Sequence, residues 1–310
     1  MNLSKHTYYL KILYLINLLI FIYNILKLKR GINSMKIKNL IFIPIILFIF
    51  SVFILYQNKQ NEGSWIKKDI DLRGGLLVTI ESSQKIDAKQ IENILTQKYG
   101  SVIVSSLRTS TGYGATIEAD ISVQLEDIIN TLKESNISIN SYSAEVIGPS
   151  LGKEFFNQVR NILIIGFCLM AIMIFFVYKN PLPSFSMVFA VAGDILAALA
   201  ITSLFGVEIG FAGFVSLLMF IAYAVDTNIV LTSSVLKIKK EEFKQEYKNA
   251  LKTGLTMTSS VILTMAVVLI LSTSKLLTNI ASVLLVGFAA DIIFTWIFNA
   301  GLLQYYIERR

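Results

Sequence analysis

The chain has 310 residues, 54% of them hydrophobic and 16% charged, with a mean hydropathy of +0.64. A soluble domain carries about 25% charged residues; here the apolar residues gather in runs of about twenty, the length that crosses a hydrocarbon core, which excludes an ordinary soluble protein. The net charge of +7 does not point to nucleic acid, because most Lys and Arg lie in short segments between those runs, where they set membrane topology.

Residues 8–28 form a first apolar run, interrupted by Lys11, Asn17 and Asn24. A basic segment follows, with Lys27, Lys29, Arg30, Lys36 and Lys38, and then a second run over 39–56. Met35 followed by Lys36 reads as an alternative start. Residues 1–34 are therefore an extra membrane anchor, a cleaved segment or a mis-assigned start. No small-residue cleavage site precedes Met35, which argues against a classical signal peptide. The expected division is an N-terminal segment over 1–34, a first core span over 35–56, a polar domain over 57–157 and a five-span bundle over 158–310.

The polar region carries the signals of a small α+β domain. "LLVTIES" reads as a strand. "DAKQIENILTQKYG" reads as a helix with Asp87 as N-cap, Ile91, Ile94 and Leu95 on one face and Gly100 as the stop. "SVIVSSL" and "ATIEADIS" flank "RTSTGYG" as a hairpin, with Ala115, Ile117 and Ala119 alternating with Thr116, Glu118 and Asp120. "SVQLEDIINTLKESN" reads as a second capped helix, with Leu125, Ile128, Ile129 and Leu132 on one face, and "ISINSYSAEVI" as a last strand. The order β-α-β-β-α-β is the split βαβ arrangement of ferredoxin-like domains.

Five apolar runs follow, at 159–178, 184–205, 211–232, 254–272 and 279–303. The connection over 236–252 reads as a charged amphipathic helix with six lysines. The basic connections at 27–38, at Lys179, at 236–252 and at the C-terminal "IERR" belong in the cytoplasm by the positive-inside rule. The fold class is then a polytopic α-helical membrane protein with six core spans and an extracytoplasmic ferredoxin-like α+β domain; the N-terminal run would add a seventh span. The one cysteine, Cys168, cannot form an internal disulfide and reads as a small packing residue. The one histidine, His6, suggests no site.

Three acids, Asp194, Asp226 and Asp291, fall well inside these spans. Intramembrane acids are costly and face a bundle interior, an ion or proton path, or a basic partner. Arg160, Lys179 and Lys275 all lie near span ends, so no cation shares a span with the acids. The structural alternative is a protonated acid bonded to nearby hydroxyls, which Thr227, Thr232, Ser233 and Ser234 supply in number. Asn228 and Thr227 are the polar neighbours of Asp226. An aspartyl-protease dyad is disfavoured, because Val191, Ala192 and Gly193 precede Asp194 and lack the first glycine of a Gly-x-Gly-Asp turn. "VIGPSLGKEF" also fails as a phosphate loop: three residues separate Gly148 from Gly152, and Glu154 stands where Ser or Thr would bind magnesium. No catalytic, metal or cofactor site is expected, and the chain does not read as an enzyme.

Three stretches in order, "DLRGG" with Asp71, Arg73, Gly74 and Gly75, "IGPSLGKE" with Gly148, Pro149 and Gly152, and "YAVDTNIVL" with Asp226, resemble the SecD/SecF family of protein-export subunits. The resemblance covers residues 39–303. "AGDILAALAITSLFGVEIGFAGF" and "ADIIFTWIFNAGLL" look like the SecF branch in its archaeal form. What the resemblance implies is a multi-pass protein of the cell (plasma) membrane. It would work beside SecD and a SecY-type channel on an unfolded secretory polypeptide, within the resistance-nodulation-division superfamily. The family role is coupled to proton flow, with Asp226 as the protonation-sensitive residue and Asp194 and Asp291 as relay or tethering acids. The sequence departs from the family at Ser233 and Ser234, where an Arg is common. Two alternatives stay open: a passive scaffold of the translocase, and an exporter of a small hydrophobic molecule. The expected partners are SecD, the SecY-type channel, the secretory chain and membrane lipids; no cofactor is expected.

Overall fold

A computed structural model describes residues 37–84, 86–109, 112–272 and 274–309. The run over 8–28 and the segment over 1–34 lie outside the described residues. Six helices among the described residues are long and apolar enough to span a membrane, and the chain is a multi-pass membrane protein. The first is α1 (Phe42–Glu62). A short turn of helix, α2 (Ile70–Arg73), leads from it into an inserted domain.

That domain runs β1 (Gly75–Ser82), α3 (Ala88–Tyr99), β2 (Ile103–Thr109), β3 (Gly112–Ala119), α4 (Leu125–Glu134) and β4 (Ser141–Ile147). The sheet order is β2-β3-β1-β4 with every neighbour antiparallel, so β1 and β2 run the same way with β3 between them. This is the ferredoxin-like arrangement. Strand alternation puts Leu76, Val78 and Ile80 of β1 and Ala115, Ile117 and Ala119 of β3 on one face, buried against Ile91 and Leu95 of α3 and Ile128 and Leu132 of α4. Asp87 caps α3 by accepting from the Lys89 and Gln90 amides. The expected cap of α4 is not made: Gln124 stands at its N-cap without a side-chain bond, and its apolar face holds the helix instead. β4 is an edge strand.

The bundle continues with α5 (Pro149–Tyr178), α6 (Pro181–Leu204), α7 (Phe211–Val235) and α8 (Phe243–Leu271). The last span is a rod built from α9 (Lys275–Ile293), a π-helical turn (Phe294–Asn299) and α10 (Ala300–Arg309). It is the most enclosed span, with 89% of its most apolar stretch buried, against 6% for α5. The rod is thus the axis of the bundle, and α5 lies at its rim. Cys168 is exposed on α5, which corrects the reading of it as a packing residue.

The expected break between an amphipathic helix over 236–252 and a span over 254–272 does not occur. Helix α8 runs unbroken from Phe243, after a 3₁₀ turn at Lys240–Glu242. No proline interrupts it, and Gly254 is required by packing, since a Cβ there would lie 2.0 Å from the Trp296 ring. The amphipathic half docks on the bundle through Phe243, Tyr247 and Leu251, and the Tyr247 hydroxyl donates to the Trp296 carbonyl at 2.9 Å.

The π turn is seated the same way: a Cβ on Gly193 would lie 2.3 Å from the Phe294 ring. Gly193→Ala is therefore expected to destabilise by about 1–3 kcal/mol through overpacking, read as a fall in Tm in detergent. Gly166→Ala, whose new Cβ would meet a flexible Leu218 methyl at 3.3 Å, is expected to leave Tm unchanged or raise it.

Candidate functional site

Two polar clusters interrupt the apolar interior, one in mid-bundle and one where the inserted domain meets the helices. The mid-bundle cluster is centred on Asp291 of α9, which is completely buried. Its Oδ1 accepts from Thr227 Oγ1 at 2.9 Å and from Thr295 Oγ1 at 2.6 Å. Thr295 accepts from Asn228 Nδ2 at 2.8 Å, Asn228 Oδ1 accepts from Asn299 Nδ2 at 2.7 Å, and Asn299 Oδ1 accepts from Ser186 Oγ at 2.6 Å. The line of side chains thus crosses from α7 through the π turn to α6. Thr295 and Asn299 both belong to the wide turn, so the π geometry supplies two of its links. Such turns recur at functional sites.

Asp194 of α6 is also completely buried, and neither of its oxygens has a hydrogen-bond partner. It lies close enough to Asp291 for their charges to repel. Two buried carboxylates with no cation beside them are unfavourable when both are ionised, and protonating either lowers that cost. The geometry around Asp291 suits either state. As a carboxylate it accepts from both threonines. As an acid it can donate to Thr227, whose hydroxyl then turns to the Ala224 carbonyl at 3.0 Å. The cluster can therefore hold or release a proton with only hydroxyl rotation.

Asp226 is elsewhere. It is exposed on the outer side of α7, in an open groove of about 340 Å³ between α5 and α7, lined by Gly166, Met170, Leu218, Ile221 and Val225. The structure brings Asp194, Asp291, Thr227 and Asn228 together and leaves Asp226 facing outward. Thr295, Asn299 and Ser186 were not singled out from the sequence. A signal existed: Asp291, Thr295 and Asn299 recur every four residues, the spacing that stacks side chains on one helix face.

The second cluster explains the glycine motifs. Asp69 caps α2 through the Ile70 amide at 2.7 Å. Gly74 has φ +83°, and a Cβ on it would lie 2.8 Å from the Pro149 Cα. A Cβ on Gly152 would lie 2.7 Å from the Gly74 nitrogen. The two motifs are thus one joint, in which the start of β1 and the start of α5 touch backbone to backbone. Beside it, Glu118 of β3 is 1% exposed and is bonded by Lys275 Nζ. Lys275 also reaches Asp69 at 2.7 Å, and Arg73 stands 3.6 Å from Glu118. The carboxylates of Asp69, Glu118 and Glu208 come within 4.8 Å of one another, a spacing that would suit a metal ion, but Lys275 already supplies positive charge to two of them. Burial holds Glu118 and Glu208 above the usual carboxylate range. Asp71 is raised by burial and then by its neighbour Asp69.

A ferredoxin-like domain set between the first and second of six described membrane helices, with acids buried in the bundle, defines a multi-pass membrane protein with an inserted α+β domain. The family model "Protein export membrane protein SecD/SecF, C-terminal" matches residues 127–309. The chain is 33% identical to the protein-export membrane protein SecF of Pyrococcus furiosus over 93% of this chain and 97% of that one. It is 35% identical to the SecF of Methanocaldococcus jannaschii over 87% and 95%. In structure it is similar to SecDF, a translocon-associated membrane protein from Thermus thermophilus. The TM-score is 0.68 at 14% identity, over 89% of this chain and 38% of the longer one. The chain belongs to the SecD/SecF family, on the SecF side.

Two stability outcomes follow from the buried network. Thr295→Val removes a donor to a buried carboxylate and is expected to cost about 1–3 kcal/mol, seen as a lower Tm in detergent at neutral pH. Asp194→Leu replaces a buried carboxyl that has no partner with an apolar side chain of similar size and is expected to raise Tm.

Proposed function

We propose that this protein is an auxiliary membrane subunit of protein export that acts with a SecD partner beside a SecY-type channel, and that proton uptake and release at the Asp194/Asp291 pair drives its working cycle. Its relatives are named for protein export, and the family model carries the same description. The observation that supports the mechanism is the buried pair itself. One acid has its oxygens satisfied by hydroxyls, the other has none, and both sit on helices at the bundle centre. Changing the charge of such a pair alters what the surrounding helices must accommodate, and helix packing is the lever available to move the inserted domain.

In this reading the protein lies in the plasma membrane, and the domain over 57–157 faces outward, as the basic connections require. There it meets the emerging unfolded polypeptide. The exposed face of α7 that carries Asp226 is the face offered to the partner subunit, because a carboxylate facing lipid is unfavourable and a covering helix with a polar or cationic group removes that cost. The opposing reading, a scaffold without proton transport, draws support from Ser233 and Ser234. No ion pair to Asp194 or Asp291 occurs among the described residues.

Pulse-chase export of a slow secretory protein separates the two. With normal protein levels, Asp291→Asn is expected to slow export and abolish its response to the proton gradient; unchanged export would leave the scaffold. Asp226→Asn is expected to weaken co-purification of SecD.

A further inference from the structure

The joint between the inserted domain and the bundle is rich in acid. Asp69, Asp71, Glu118 and Glu208 gather there, against Lys275 and Arg73. Glu118 is the least expected of them. It lies on β3 opposite Leu77 of β1 and Ile103 of β2, on the sheet face away from α3 and α4, and is nevertheless buried. Its Oε2 makes no hydrogen bond. The sheet therefore turns one carboxylate toward the bundle and relies on the bundle to neutralise it.

The neutralising group comes from the first residue of α9. Lys275 bonds Glu118 of the sheet and Asp69 of the linker at once. The linker is itself stitched to the α6–α7 loop: the Ile209 amide donates to the Lys67 carbonyl at 2.8 Å, and the Asp69 amide donates to the Ile209 carbonyl at 3.2 Å. Asn279, one turn along α9, holds that loop through the Glu208 carbonyl at 2.7 Å. Asp291 lies sixteen residues beyond Lys275 on the same helix, about 24 Å away at the helical rise.

We propose that Lys275 is a positioning residue that clasps the inserted domain to the axial rod, so that displacement of the rod at Asp291 is passed to the sheet through Glu118 and Asp69. The glycine joint at Gly74 and Gly152 is a close backbone contact on which the sheet can pivot; the Lys275 clasp sets its angle. An ion bridge of this kind adds little net stability, yet losing one partner leaves uncompensated buried charge. That combination suits a clasp and not a mere filler of the core. The proposal rests on the export reading for its purpose, but not for its physical content.

The test uses spin labels on the full chain in lipid bilayers, at Glu126→Cys on α4 and Leu271→Cys at the end of α8, in a Cys168→Ser background. The labelled parent and Lys275→Arg, which keeps the cation, are expected to give one narrow distance. Lys275→Met is expected to lose it for a broad distribution. Because Lys275→Met strands buried acids and can fail to fold, the pair Lys275→Met with Glu118→Leu is measured as well. It removes the Lys275–Glu118 charge pair and keeps apolar volume, with Asp69 still bonded by the Ile70 amide, and it too is expected to give the broad distribution. A narrow distance in this double variant would overturn the clasp. Export is read in parallel. Should Asp291→Asn export normally while the double variant still broadens, the proton mechanism fails and the clasp stands. Should the double variant stay narrow while Asp291→Asn is defective, the reverse holds.

Discussion

An ionisable group removed from water must be neutralised, hydrogen-bonded or both, and the architecture of this protein is arranged around that demand. Asp291 is met by hydroxyls from α7 and from the turn that follows it in its own helix. That second hydroxyl depends on the π turn, which in turn depends on Gly193 admitting the Phe294 ring. A missing side chain on one helix thus permits an irregular turn on another, and the turn carries the polar line across the bundle. Asp194 receives no such provision. Leaving a buried acid unbonded costs stability, and natural chains keep such defects where function uses them.

The same demand operates at the joint, with a different solution. There the acids are neutralised by a cation at a helix start and not by hydroxyls. The Lys275 side chain remains 37% exposed, whereas Asp194 and Asp291 are completely buried. Two charge arrangements, one dry and one half-wet, therefore sit on one helix. Between Ala281 and Asn299 that helix is almost continuously buried, so its middle is held on all sides while its first turn stays open.

Much of this was legible in the sequence. Alternation of apolar residues identified β1 and β3, and spacing identified α3 and α4, because the domain has one buried sheet face and one polar one. Hydropathy gave the spans. Asp194 and Asp291 stood out by chemistry alone. What remained hidden were relations between distant segments. Periodicity put Glu118 on the polar face with Thr116 and Asp120, and it is on that face. Nothing local shows that the polar face is covered by the bundle at that point. Lys275 read only as a cation near a span end, while its partners lie 157 and 206 residues away. Asp226 drew the reading toward itself because its motif is specific. Its exposure is fixed by the rotation of α7, which hydropathy cannot give when the helix is apolar all round. The motif glycines looked like independent turns, although each exists to admit the other's backbone.

The three membrane acids then divide by what surrounds them, and the division carries a mechanistic consequence. A proton on the Asp194/Asp291 pair changes an interaction inside one subunit, whereas Asp226 faces the exterior of the bundle and can only act through whatever covers it. Coupling between the two must pass through α7, which carries Asp226 on its outer side and Thr227 on its inner side, one residue apart. The Thr227 hydroxyl lies within reach of both the Asp291 carboxyl and the Ala224 carbonyl of its own helix and can donate to either. An adjustment of α7 by even a small rotation would move Asp226 in the opposite lateral sense. The neighbouring positions 226 and 227 are thus the shortest physical link between the buried pair and the outer face.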